Sequence, residues 1–496
     1  MQPTAARVII SAAAADACRL DGRFERMLRN IGPEAASVGE LFMTQTIARA
    51  VVVGLVLLGV CARPAGAQTP AKPNVVLIVT DDVGYGDIGS YGAPDVKTPN
   101  IDSLARSGVK LTDFYAAPQC TPTRAALISG RYQQRFRLEA ALSGPKTPAG
   151  QTGLPATGYS LPQLLKNNGY ATGLIGKWHL GYKPEFSPNA HGFDYFFGFK
   201  SGYIDYYQHT NGDGDSDLFE NDSPVRVDGY MTDLITERSV RFINEHGGGA
   251  FFLEVTYNAA HWPFQVPDHP SVAADHGRFV QPEESPTATR QDYIAMLERA
   301  DQGIGRILQT LRSRGLERNT LVVYMQDNGG EWVSRNAPLF NRKGTVWEGG
   351  IRVPAIFKWP DRLSAGRVSN QVGIVQDVTA SILAATGTAV PQPARPDGIN
   401  LIPILEGRTS ATERTLFFRF TIGTTKQVAV RQGSWKLLVD GGKRYVFDLS
   451  KDIGERNDLA GQRQDIAHRL RPLVDAWEAE VDAEAKANTA RETTSR

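Results

Sequence analysis

Asn74-Val75-Val76-Leu77-Ile78-Val79-Thr80-Asp81-Asp82 is an apolar, largely β-branched run that stops abruptly at two adjacent carboxylates. An apolar run without polar alternation reads as a strand buried on both faces, as in a parallel or mixed sheet. Three more runs repeat the pattern. Residues 171–175 lead into Gly176-Lys177-Trp178-His179, residues 251–257 precede Asn258 and His261, and residues 321–325 precede Gln326-Asp327-Asn328. Helical periodicity over 101–107, 161–167, 231–245 and 293–314 fills the intervals. Strand and helix alternate, which predicts an α/β sandwich. In such sheets the chemistry gathers beyond the carboxyl ends of the strands, where these polar clusters fall.

Working outward, the 387–412 segment is rich in proline, glycine and threonine and reads as a boundary. Short strands over 415–420, 427–431, 435–439 and 444–448 then suggest a small antiparallel sheet, followed by a helix over 465–487. The expected organisation is a catalytic domain over 72–405 and an α+β subdomain over 406–490. Residues 1–67 form an N-terminal extension ending in a signal peptide, 43–67. That segment carries one basic residue, Arg49, an apolar run over 50–62, and Ala65-Gly66-Ala67 as a small-residue cleavage site. Residues 1–42 fit no targeting pattern and suggest that translation starts at Met43. Cleavage near Ala67 would send the chain to the periplasm or the medium with no stable membrane anchor.

The 496 residues are 41% hydrophobic and 22% charged, which excludes disordered, collagen-like and coiled-coil classes. Basic and acidic residues number 54 and 53, so no global field favours nucleic acid or an anionic membrane. Any charged partner must meet a local site. Loss of residues 1–67 would remove Cys18 and Cys61 and leave Cys120 alone, without an intramolecular disulfide partner. By itself a lone cysteine reads as a small buried hydrophobe; its neighbours point elsewhere.

Two adjacent carboxylates repel one another unless a cation or proton lies between them, so Asp81-Asp82 invites a hard metal. Asp327-Asn328 offers a second oxygen pair. Three carboxylates and an amide oxygen suit calcium or magnesium and give zinc no soft ligand. The two pairs lie about 245 residues apart, so one site requires their strands to be neighbours.

Cys120-Thr121-Pro122-Thr123-Arg124 continues into a small-residue helix ending at Ser129-Gly130. Here the chain resembles the sulfatase family, in which the cysteine of Cys-x-Pro-x-Arg is oxidised to formylglycine. Further family elements follow in order: Thr98-Pro99-Asn100, Gly176-Lys177-Trp178-His179, His261-Trp262-Pro263, Asp327-Asn328-Gly329-Gly330, and Lys343-Gly344-Thr345 before Glu348-Gly349-Gly350. The resemblance runs on through Trp435-Lys436-Leu437 and Asp448-Leu449. It implies an alkaline-phosphatase-like central mixed sheet flanked by helices, and hydrolysis of sulfate monoesters of the arylsulfatase type. Calcium is expected ahead of magnesium. Asp81, Asp82, Asp327 and Asn328 would hold this single divalent ion. Arg124 would fix the nucleophile, and Lys177 and Lys343 would clamp sulfate oxygens. Lys343 or His261, the latter also a substrate-binding residue, would protonate the departing alcohol or phenol. His179 would take a proton as sulfate is released.

The conversion of Cys120 has a chemical reason. A serine would be trapped as its own sulfate ester, whereas an aldehyde hydrate has a second hydroxyl whose deprotonation expels sulfate. The expected partners are a sulfated small molecule or glycan and, during maturation, a formylglycine-generating enzyme; nucleic acid is not among them. The rival classes are a phosphate or phosphonate monoester hydrolase on the same fold and a catalytically dead binder of sulfated glycans. Lys177 and His179 occupy alternate positions of an extended stretch, which points them the same way.

Two features are read as structural and a third stays open. Gly303-Ile304-Gly305 interrupts a helical pattern with no strand before it, unlike a nucleotide fingerprint. Asp213-Gly214-Asp215-Ser216-Asp217 lacks the glycine and closing glutamate of a calcium loop. The aromatic stretch 193–207 fits equally a substrate-side wall and buried packing.

Overall fold

The strand Asn74–Thr80 lies near the middle of a ten-stranded mixed sheet, every one of its residues buried. On one side it pairs in parallel with Thr320–Gln326, on the other with Phe251–Thr256; Ala171–Lys177 and Tyr195–Phe199 extend the parallel block. Ala355–Lys358 is antiparallel to Thr320–Gln326 and continues the sheet outward to Val109–Leu111 and Arg367–Ser369. The computed structural model describes residues 72–269 and 289–494. The expected signal peptide, Cys18 and Cys61 lie outside the described residues. Among the described residues no helix is long and apolar enough to cross a membrane.

Because side chains alternate across a strand, the central run feeds two cores. Val75, Leu77 and Val79 pack on one face of the sheet; Val76 and Ile78 pack on the other. This explains why the deciding run shows no polar alternation. Helix Cys120–Ser129 contributes Ala125–Ile128 to the first core, whereas Met231–His246 and Arg290–Ser313 contribute to the second. Gly303 lies inside the last of these helices, where a Cβ would stand 2.3 Å from Thr236 Oγ1, so the Gly-x-Gly pattern there serves close packing. The α/β architecture with an alkaline-phosphatase-like central sheet is therefore the one observed.

The strands Thr415–Ile422, Thr425–Gln432, Trp435–Asp440 and Lys443–Asp448 form a separate antiparallel sheet, followed by helix Gln464–Thr494. Leu416, Phe418, Leu438 and Phe447 of this sheet join the first core, and a buried ionic cluster adds a polar link to the loops of the larger sheet. The fully buried Lys436 ammonium lies 2.9 Å from Glu348 Oε1 and 2.8 Å from Glu455 Oε1. Glu348 also accepts from the Tyr115 hydroxyl at 2.6 Å. Breaking such a cluster from one side strands a charge out of water, at a cost of about 3–5 kcal/mol.

Candidate functional site

Register brings the two acidic pairs together. Thr80 is opposite Gln326 in the parallel ladder, so the residues that follow, Asp81-Asp82 and Asp327-Asn328, leave the sheet side by side. The Asp327 amide donates to Thr80 O at 3.2 Å, and Asn328 Nδ2 donates to Asp82 Oδ1 at 2.7 Å. Asp82 has φ +55°, a left-handed turn that ends the strand.

Three cations face the three carboxylates. Lys177, the last residue of its strand, places Nζ 2.5 Å from Asp81 Oδ2. Arg124 places Nη2 3.0 Å from Asp327 Oδ2 and 3.5 Å from Asp81 Oδ2, and Nη1 donates to Lys177 O. Lys343 Nζ is 2.7 Å from Asp82 Oδ2 and 3.3 Å from Glu331 Oε2. Lys343 reaches inward because its loop is tied to the Asp327 loop: its amide donates to Gly330 O, and that of Gly329 donates to Gly350 O. A Cβ at Gly329 would overlap Gly349 O, so only glycine permits this approach.

Cys120 opens helix Cys120–Ser129, whose residues through Ile128 are all buried, and the helix stops at Gly130 with φ +70°. Cys120 Sγ lies 3.2 Å from His179 Nδ1. The other ring nitrogen, Nε2, is 2.9 Å from Leu142 O and must carry the proton to donate there, which leaves the Nδ1 lone pair facing residue 120. The strand ends at Lys177 and His179 adopts φ +57°, so simple alternation does not carry through; a left-handed turn still delivers both side chains to one place. Trp178 packs away from it, against His191 and Phe193. His261 Nδ1 is 2.6 Å from Trp262 O, and Nε2 is 3.4 Å from Asp82 Oδ2.

Burial sets the proton inventory. It pushes His179 down to about 3, with Lys177 adding to the effect, and it holds His261 well below the usual imidazole range despite Asp82. Burial also opposes the charge on Lys343, yet Asp82 and Glu331 outweigh it and keep the ammonium well above its ordinary value. For Asp82, burial is overcome by Lys343, His261 and Lys177, which hold the carboxyl below its usual range. Burial and then the Asp81 charge lift Asp327 to about 6.

The donor set fits a hard cation. Asp81 Oδ1 and Asn328 Oδ1 are buried with no hydrogen-bond partner, a costly condition that a coordinated ion removes. Ligand atoms of Asp81, Asp82 and His261 lie within 4.8 Å of one another. With Glu331 counted, four carboxylates face three cations, so a divalent ion would still leave the site net positive toward an anionic substrate.

The structure gathers all ten residues singled out from the sequence: Cys120, Arg124, Lys177, His179, His261 and Lys343 with Asp81, Asp82, Asp327 and Asn328. The sequence alone does not single out Glu331 and Trp332, directly after the Asp327 motif; these share the cavity of Cys120 with Asp213, from the run read as a loop, and with Tyr203, from the aromatic stretch that fitted either a substrate-side wall or buried packing. Nor does it single out Glu254, a carboxylate inside the apolar Phe251–Thr256 strand, paired with Leu77 on one side and Leu174 on the other. Glu254 Oε2 is buried without a partner, and burial lifts its carboxyl to about 7 although Arg124 pulls the other way. A folded-state pKa above the unfolded value means that the native state holds the extra proton. Stability therefore falls as pH rises from about 4.5 to about 7, by roughly 3 kcal/mol from this group. Glu254→Gln should remove this group's share of the slope: the difference between urea midpoints at pH 5 and pH 8 should be smaller in the variant than in the parent.

A family model described as Sulfatase matches residues 73–388, and one described as N-sulphoglucosamine sulphohydrolase, C-terminal, matches residues 338–478. N-acetylgalactosamine-6-sulfatase of Canis lupus familiaris is 32% identical over 477 residues, covering 85% of this chain and 88% of that protein. Arylsulfatase A of Bos taurus is 30% identical over 472 residues, covering 82% and 87%. Among solved structures, Ps i-CgsB matches with a TM-score of 0.73 at 31% identity, covering 81% of this chain and 92% of that one. It is also known in complex with k-i-k-neocarrahexaose.

Proposed function

Because the chain belongs to the sulfatase family and is a sulfuric ester hydrolase, we propose that it hydrolyses the sulfate monoester of a sulfated glycan or small alcohol, using formylglycine made from Cys120 and one divalent ion, calcium ahead of magnesium. Formylglycine would supply a self-releasing nucleophile, and the ion, held by Asp81, Asp82, Asp327 and Asn328, would supply Lewis acidity and charge neutralisation. The observation that carries this reading is Cys120 Sγ at 3.2 Å from the unprotonated Nδ1 of His179, in a cavity also lined by His261 and Lys343.

Each of the chain's own groups then has a task. His179 Nδ1 accepts a proton released at residue 120, and the Nε2–H bond to Leu142 O holds the ring for it. Arg124 and Lys177 brace the Asp81 and Asp327 carboxylates, and Lys177 and Lys343 present ammonium groups to sulfate oxygens. Of the two candidate acids, burial disfavours the charged form of His261, whereas Asp82 and Glu331 favour the ammonium of Lys343, which also lines the cavity, so Lys343 is assigned to protonate the leaving oxygen. The oligosaccharide bound by Ps i-CgsB supports a glycan substrate here. Export through a cleaved leader and maturation by a formylglycine-generating enzyme complete the proposal.

Parallel assays on an aryl sulfate and the matching aryl phosphate test the reaction class; preference for phosphate would overturn it. Lys343→Ala tests the acid. General-acid assistance matters most for a poor leaving group, so beyond a loss common to both substrates, from its contacts with sulfate and Asp82, the variant should lose on the order of 10²-fold or more extra in kcat on a sugar sulfate than on nitrophenyl sulfate. Equal losses on both substrates would remove Lys343 from that role.

A further inference from the structure

The cavity above Cys120 has a volume of about 440 Å³, within the ~300–1,000 Å³ of small-molecule sites. Its floor is the sulfate-handling machinery. Its walls are what a leaving group would meet. On one side stand Tyr203, Trp262 and Trp332, with ring centroids 4.2 Å apart for the first pair and 6.3 Å for the second. Trp332 adopts φ +42°, a left-handed conformation that is strained for so bulky a residue and that persists where the surroundings impose it. Such positions cluster at functional sites.

Charge distinguishes the walls further. Among the described lining residues the acids are Asp213 and Glu331, and Lys343, already engaged with Asp82 and Glu331, is the only lysine or arginine. Asp213 faces the opposite loop closely: a Cβ at Gly144 would stand 3.2 Å from its Oδ2. Flat aromatic faces suit the C–H face of a pyranose, and carboxylates accept hydrogen bonds from ring hydroxyls. The Asp213 carboxylate repels a second anion on that ring, and among the described lining residues no lysine or arginine besides Lys343 stands to receive it; Lys146, between the lining residues Pro145 and Thr147, is paired with Asp215 at 2.7 Å.

Resting on the sulfatase reading above, we propose that this cavity selects a pyranose whose scissile sulfate is its only anionic group, stacked on the Tyr203–Trp262–Trp332 wall, with Asp213 and Glu331 as specificity-determining residues. The carboxylates hold the ring through its hydroxyls and exclude disulfated rings and uronate sulfates.

The test uses the matured, metal-loaded full chain and measures sulfate release from the 4- and 6-monosulfates of galactose and N-acetylgalactosamine, the corresponding 4,6-disulfates, and methylumbelliferyl sulfate. At least one monosulfate should be cleaved with kcat/KM about tenfold or more above its disulfate. Asp213→Lys should lower that ratio about tenfold, chiefly through KM of the disulfate. Asp213→Asn should lower it by a smaller factor and serves if the lysine variant fails to fold. Trp332→Ala should raise KM for the monosulfate about tenfold. Disulfates cleaved as well as monosulfates, or a ratio indifferent to Asp213, would overturn the inference. So would turnover of the aryl sulfate with none of any sugar sulfate. Release from no sulfate ester at all would instead strike the sulfatase reading.

Discussion

Cys120→Ala is expected to lower turnover at least about 10⁴-fold, since it removes the atom from which the nucleophile is made and leaves only binding and charge stabilisation. The fold should survive. Residue 120 is 2% exposed and begins a helix whose docking comes from Ala125, Ala126, Leu127 and Ile128, and alanine suits a helix start without adding volume. Sulfate release measured beside a thermal melt separates the two effects. Cys120→Ser is a sharper probe. A serine can attack sulfur but has no second hydroxyl to expel it, so the variant should stop after at most one turnover with sulfate retained on the residue-120 peptide. Mass spectrometry of that peptide from active parent enzyme should show the aldehyde. An unmodified thiol in a fully active preparation would end the formylglycine proposal.

Removing the divalent ion should cost on the order of 10³-fold in rate, corresponding to several kcal/mol of transition-state charge stabilisation. Calcium should restore activity at lower concentration than magnesium. A readout independent of catalysis is available. Calcium at about 100 times its dissociation constant should stabilise the chain by about 2.7 kcal/mol, and Asp82→Asn or Asn328→Ala should shrink that gain. The expectation follows from Asp81 Oδ1 and Asn328 Oδ1, buried oxygens with no hydrogen-bond partner among the described residues. Indifference of both activity and melting temperature to chelation would refute the assignment of these four residues.

The legible parts of this protein were those written in short-range pattern. Runs such as 74–79 and 321–325 announced strands because burial on both faces demands unbroken apolar sequence, and observed bounds such as Thr320–Gln326 exceed them by a residue or so. The meeting of Asp81-Asp82 with Asp327-Asn328 was a guess from sequence and is a consequence of register in the structure, since Thr80 opposite Gln326 leaves no other outcome. Less legible was whatever depends on three dimensions alone. Glu254 hid inside an apolar strand because one letter does not reveal which neighbours surround a side chain. The run that holds Asp213 is the exposed loop its sequence suggests, with residues 212–216 all exposed, and what the sequence does not show is that the loop folds against Gly144 and brings Asp213 to the cavity. The 193–207 stretch divides between both readings: Phe196, Phe197 and Phe199 are core, whereas Tyr203 walls the cavity.

The buried Lys436 cluster makes the far end of the chain answerable for events at the near end. Glu348 begins the short helix just past the Lys343 loop, and its carboxylate is anchored by a lysine from the antiparallel sheet. Loss of Lys436 is thus expected to lower activity as well as stability, although that residue lies outside the cavity that holds Cys120. Any chimaera grafting this C-terminal region onto another sulfatase must transplant Glu348, Lys436 and Glu455 as a set; exchanging one alone would leave an orphaned charge beneath the loop that delivers Lys343.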